Sequence, residues 1–119
     1  MKLVIGTANF GTPYGISNSF KKMNVKEIGK ILKLAKKNNI SQLDTAINYK
    51  NSEQTIGQLS ESKNFKIITK LPKIGRNTHL IHKFINSSLI KLKKKKLHGV
   101  LIHSLSDLTS KNLNKLIVE

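Results

Sequence analysis

A short apolar run followed by a helical pattern occurs four times along this chain, and that repeat limits the fold more than any other feature. The first run is "KLVIGTA", Lys2 to Ala8. The helix after it spaces Val25, Ile28, Ile31, Leu32 and Ala35 along one side, with Asn24 and Glu27 as a capping box and Asn38-Asn39 as its end. The second run, "ISQLDTA", leads to a helix opening near Ser52-Glu53 and carrying Ile56 and Leu59. The third, "FKIITKL" from Phe65 to Leu71, is closed by Pro72, which has no N–H to give to a ladder. A longer helix from about Thr78 carries Ile81, Phe84, Ile85, Leu89 and Leu92. The fourth run is "GVLIHS", Gly99 to Ser104, and Leu113, Leu116 and Ile117 suggest a last helix.

Alternating strands and helices with nearly continuous apolar strands specify an α/β chain built on a parallel sheet that helices cover. In such folds the strand-to-helix connections all lie at the strands' carboxyl ends, where functional side chains collect. The first connection, "NFGTPYGISNSFKKM", is long and carries three turn signals, Gly11, Pro13 and Gly15.

Each run delivers polar groups to that end. The first ends at Gly6-Thr7 and leads into Asn9, the second ends at Asp44 with Tyr49 in its loop, the third at Lys70 and the fourth at His103. Taken singly, each residue type has an ordinary structural role: a turn cap for Asp44, a solvated amine for Lys70, a packed ring for Tyr49, a hydrogen-bonded histidine for His103. Together they form a proton-transfer set. A tyrosine is a weak acid at neutral pH. A neighbouring ammonium favours the phenolate, and a carboxylate paired with that ammonium keeps it charged and fixed. An imidazole can orient a carbonyl oxygen or relay a proton. Such a set can protonate a developing alkoxide.

These segments resemble the aldo-keto reductase family along the whole chain. "LVIGTANFGTPYGISN" is similar to the family's first strand and its glycine-containing continuation. "DTAINYKNSEQTIG" is similar to its Asp-x-x-x-x-Tyr segment and the Ser-Glu helix start, "IITKLP" to its third strand with the lysine, and "SSLIKLKKKKLHGVLIHS" to the helix that leads into the fourth strand and its histidine. The resemblance implies a TIM-type (β/α)8 barrel that transfers hydride from NADPH to an aldehyde or ketone. Tyr49 would be the general acid, Lys70 and Asp44 its tuning pair, and His103 the group that orients the substrate. Gly6, Thr7 and Asp44 would touch the cofactor. Such a barrel needs about 250 residues, so residues 1–119 are expected to be its first half, ending after the fourth βα unit and lacking most of the cofactor site. A half-barrel has two open edges and an uncovered inner face, which favours self-association that completes the barrel.

Charge bears on the alternatives. With 22 Lys+Arg against 6 Asp+Glu, the net charge of +16 would attract polyanions. The lysines are spread over every helix, however, and the one true run, Lys93 to Lys96, falls at a helix end that suits cations. Few aromatics are available to stack on bases, so specific nucleic-acid binding is not expected. Two further functions compete with the reductase: an inactive half-barrel without its cofactor site, and a basic protein that binds polyanions. No cysteine is present, so disulfides and thiolate metal sites are excluded. His79 and His82 in "HLIH" read as surface histidines rather than a metal pair, and Arg76 as a solvated loop residue. "GTANFG" is not the Gly-x-Gly-x-x-Gly phosphate fingerprint. The apolar run after Met1 and Lys2, "LVIGTA", is too short for a signal peptide's apolar core or a membrane span, and the expectation is a cytoplasmic protein.

Overall fold

A computed structural model describes residues 3–15, 23–75 and 77–107. Arg76 and the last helix expected from Leu113, Leu116 and Ile117 lie outside the described residues. Four parallel strands, β1 (Ile5–Gly6), β2 (Gln42–Asp44), β3 (Lys66–Leu71) and β4 (Gly99–Ile102), form one sheet in sequential order. Among the described strands the order never reverses, so they contain no topological switch point. Successive strands added on one side build the wall of a barrel, in this chain its first half.

The pleat fixes which face is covered. In β3, Ile67, Thr69 and Leu71 are buried under the helices, while Ile68 and Lys70 point to the other face and are only half-buried. Leu101, which pairs with Lys70, is 47% exposed, so the inner face is open.

The helix between β1 and β2, α2 (Val25–Lys37), starts at the expected capping box. Glu27 N–H donates to Asn24 Oδ1 and Asn24 N–H to Glu27 Oε2, each at 2.9 Å. It stops at Asn38, and Asn39 takes the left-handed region at φ 59°. Its buried stripe is Ile28, Leu32 and Ala35, whereas Val25, expected on the same side, is exposed in the first turn. Together with Leu43, Ile56, Phe65, Ile67 and Leu92, these residues form the main core. Each of the Leu, Ile and Phe side chains in it contributes about 1.5–3 kcal/mol when fully buried.

Two further helices follow β2 and β3: α3 (Ser52–Gln58) and α4 (Ile81–Leu92), the latter entered through a 3-10 turn at Thr78–Leu80. They cross closely at Gly57, where a side chain would collide with the backbone of Lys91 and Leu92. Between β1 and α2, the segment expected as loop contains a short helix, α1 (Ala8–Gly11), that buries Phe10 in the core. A helix of that length shows no 3.6-residue period, which is why the sequence pattern hides it.

Candidate active site

The carboxyl ends of β1 and β2 are joined by a buried set of hydroxyls. Thr7, fully buried at the end of β1, donates from both its N–H and its Oγ1 to the Asp44 carbonyl at 3.0 Å. Ser52, the first residue of α3, lies with its Oγ 2.9 Å from both the carbonyl and Oγ1 of Thr7, and 3.1 Å from Thr45 Oγ1. Every hydroxyl in this set has a partner, so the backbone that carries Asp44 is pinned from two sides.

Asp44 therefore presents its carboxylate to the inner face, where it meets Lys70. The Lys70 Nζ lies 2.5 Å from Asp44 Oδ1 and 3.3 Å from the Thr45 carbonyl. Both side chains are partly buried, and this charged hydrogen bond fixes the ammonium at the mouth of the sheet. The same ammonium stands 5.5 Å from the centroid of the Tyr49 ring.

Tyr49 reaches that position through a tight path out of β2. Thr45 N–H donates to the Ile68 carbonyl at 2.8 Å and Ile47 N–H to the Lys70 carbonyl at 3.1 Å, so the chain follows β3 beyond the strand. It then turns, with Tyr49 N–H donating to Ala46 O and Ser52 N–H to Tyr49 O. Lys50, at φ 47°, adopts the left-handed region inside this turn. The turn packs on α1 at Gly11, where a Cβ would sit inside contact distance of the Tyr49 carbonyl and 2.5 Å from Ser52 N. Gly11 reads in the sequence as a turn signal. Its actual requirement is close backbone approach, and it holds the loop that bears Tyr49.

Three of the four residues expected in the proton-transfer set, Asp44, Lys70 and Tyr49, thus meet at one end of the sheet. His103 is the first residue beyond β4 and is exposed; among the described residues no hydrogen bond or ion pair joins it to the other three. Of the residues expected near a cofactor, Gly6 is exposed opposite Asp44, with no atom within 4 Å of where a Cβ would stand. Thr7 is buried and its hydroxyl is committed to Asp44, so it acts by holding that residue.

Sequence reasoning missed Ser52 and Asp107. Asp107 lies in the 3-10 turn Leu105–Asp107 after β4 and accepts from the N–H groups of Ile74 and Gly75, each at 2.9 Å. Those hydrogen bonds, first Ile74 and then Gly75, hold its carboxyl below the ordinary carboxylate range, with a smaller contribution from Lys73. The clamp ties the loop after β3 to the loop after β4. Its partners are more than thirty residues apart in sequence, so no local signal announces it. Among the described residues no group of three or more His, Cys, Asp or Glu could hold a metal ion, and no helix is long and apolar enough to cross a membrane.

Half of a parallel (β/α)8 wall, with an Asp–Lys pair and a tyrosine at its carboxyl mouth, defines a barrel-type protein whose site lies among the βα loops. The sequence profile of the Aldo/keto reductase family matches residues 2–116, and the chain belongs to that family. A solved chain described as an aldo-keto reductase from Pseudomonas aeruginosa is 25% identical, with a TM-score of 0.71 over 95% of this chain and 45% of its own. An aldo-keto reductase from Bombyx mori, in complex with NADP, is 21% identical with a TM-score of 0.61, over 84% of this chain and 33% of its own. An aldose reductase from Giardia lamblia is 17% identical, with a TM-score of 0.59 over 86% of this chain and 32% of its own. The latter two show the fold alone. The chain spans less than half the length of each of these structures. A comparison with curated proteins finds no match.

Proposed function

We propose that this chain is the proton-transfer half of an aldo-keto-reductase-type oxidoreductase, a cytoplasmic protein reducing a small aldehyde or ketone with NADPH. The observation that carries the reading is the placement of the Lys70 ammonium, 2.5 Å from Asp44 Oδ1 and 5.5 Å from the Tyr49 ring, at the carboxyl mouth of a family-type sheet. The cofactor, when bound, supplies the hydride to the carbonyl carbon. Tyr49 then gives its hydroxyl proton to the carbonyl oxygen. Lys70, held in place by Asp44, stabilises the negative charge left on the phenol oxygen. His103, at the end of β4, is the group to hydrogen-bond the substrate oxygen. Gly6, paired with Asp44 and with nothing within 4 Å of where a Cβ would stand, leaves room for the cofactor to approach, and Thr7 supports that wall.

Reduction of a small aldehyde by NADPH, followed by loss of the reduced-nicotinamide absorbance, tests this. Tyr49→Phe removes only the donated proton and is expected to lower turnover by about a hundredfold or more. Turnover unchanged in that variant refutes the role of Tyr49.

A second reading is that residues 1–119 by themselves keep these residues but bind no cofactor. The two separate on cofactor binding. For the active reading the open inner face needs a cover, and we propose that a second copy provides it. Leu101 stands 47% exposed on that face, and the outer edges of β1 and β4 are without a strand partner among the described residues. Light scattering is expected to give the mass of two chains. A monomer with a single sharp unfolding transition contradicts this.

A further inference from the structure

At the opposite end of the sheet, about 13 Å along β3 from Lys70, the segments that enter β3 and β4 wall a cavity of about 460 Å³. The turn before β3 and its first residue bring Lys63 and Lys66, and the connection from α4 brings Lys94, Lys95, Lys96 and His98. Phe65 and Ile67 are buried on either side of Lys66, so the alternation turns their rings and methyls inward and leaves the lysine exposed. No acidic residue lines the cavity.

The two walls are tied together. Lys94 Nζ donates to the carbonyls of Ser62 at 3.1 Å, Lys63 at 2.5 Å and Phe65 at 3.1 Å. This anchors the α4–β4 connection to the turn before β3, so the basic cavity is built by the fold and not by chance placement of loose side chains. Burial also holds the Lys94 ammonium below its ordinary pKa, a cost that a bound anion would relieve.

We propose that this cavity binds a small polyphosphate anion, a chain of linked phosphates either free or as the tail of a nucleotide. Its volume is that of a small-molecule site. Lysines offer point charges suited to phosphate oxygens without fixed geometry. With Lys94 committed to backbone carbonyls, a single phosphate would leave most of the four remaining ammonium groups, Lys63, Lys66, Lys95 and Lys96, unmatched. Phe65 is buried, so its ring is closed to stacking with bases, which argues against a nucleic-acid surface. The inference is independent of the oxidoreductase reading.

Calorimetric titration of the 119-residue chain with inorganic tripolyphosphate and with ATP tests it. The variant Lys63→Ala/Lys95→Ala/Lys96→Ala is compared with Lys26→Ala/Lys30→Ala/Lys37→Ala, which removes equal charge from the exposed side of α2. All six lysines are exposed, and Lys94 is left in place because it is structural. Far-UV circular dichroism verifies that both variants fold. Saturable one-to-one binding is expected, weakened about tenfold or more by the first variant and less than about twofold by the second. Equal affinity for the two ligands assigns the phosphate chain alone, and tighter ATP binding assigns a nucleotide tail. Equal losses in both variants, absence of saturable binding, or displacement by a tighter-binding single-stranded oligonucleotide overturns the proposal.

Discussion

Replacing Gly11 with alanine adds one methyl group at the point where α1 meets the loop of Tyr49. That Cβ would stand 2.5 Å from Ser52 N and 3.0 Å from Asn51 N, and closer still to the Tyr49 carbonyl oxygen. All three neighbours are backbone atoms, so no side chain can rotate away. Restoring van der Waals distance to the Ser52 nitrogen alone takes about 1 Å of separation between two backbone segments. Overpacking of this kind costs about 1–3 kcal/mol, and the rigid neighbours place the substitution at the upper end. Loss of the Ser52 N–H to Tyr49 O hydrogen bond adds about 1 kcal/mol. The expected destabilisation is therefore about 3–4 kcal/mol. Urea unfolding followed by far-UV circular dichroism reads it, with Gly6→Ala as the control. Nothing lies within 4 Å of a Cβ at Gly6, and that exposed substitution is expected to stay within about 0.5 kcal/mol. A Gly11→Ala chain as stable as the Gly6→Ala chain would refute the packing of α1 on the Tyr49 loop.

Two further substitutions test the supports of the site. Ser52→Ala removes the hydroxyl shared by Thr7 and Thr45 in a buried setting; it is expected to cost about 1–3 kcal/mol in the same unfolding assay, and a neutral result would mean the hydroxyl set does not pin Asp44. Asp107→Ala leaves the N–H groups of Ile74 and Gly75 without their acceptor. Because the folded carboxyl titrates below its ordinary value of 3.8, the clamp contributes at neutral pH and is lost as pH falls through the folded value. Amide hydrogen exchange at Ile74 and Gly75 should accelerate in the variant at neutral pH, and the difference from wild type should vanish in strong acid. Equal exchange at neutral pH would contradict the clamp.

What the sequence revealed and what it hid follow from the range of each signal. The capping box of α2, the stop at Asn38-Asn39 and the strand closed by Pro72 are local, and all three stand where the pattern put them. Asp44, Lys70 and Tyr49 were legible because parallel βα units bring successive strand ends to one mouth. The hidden features are those whose cause lies elsewhere in the chain. Ser52 and Glu53 read only as a helix start, and both are buried: Ser52 serves Thr7, and Glu53 accepts from Thr69 Oγ1 at 2.7 Å. Lys94 looked like one of a run of helix-end cations, but its ammonium is spent on three distant carbonyls. α1 was too short to carry a period, and the need for glycine at position 11 arises only where another segment approaches it.

The central claim is that the mouth holding Asp44, Lys70 and Tyr49 works on a bound reduced nicotinamide. Quenching of NADPH fluorescence on titration with the chain tests it most directly, run in the Lys63→Ala/Lys95→Ala/Lys96→Ala background so that binding at the basic cavity is weakened. The account expects saturable binding that persists in Tyr49→Phe while turnover is lost. Failure to saturate at millimolar cofactor would contradict it, and would leave a half-barrel that kept its proton-transfer residues without a hydride source.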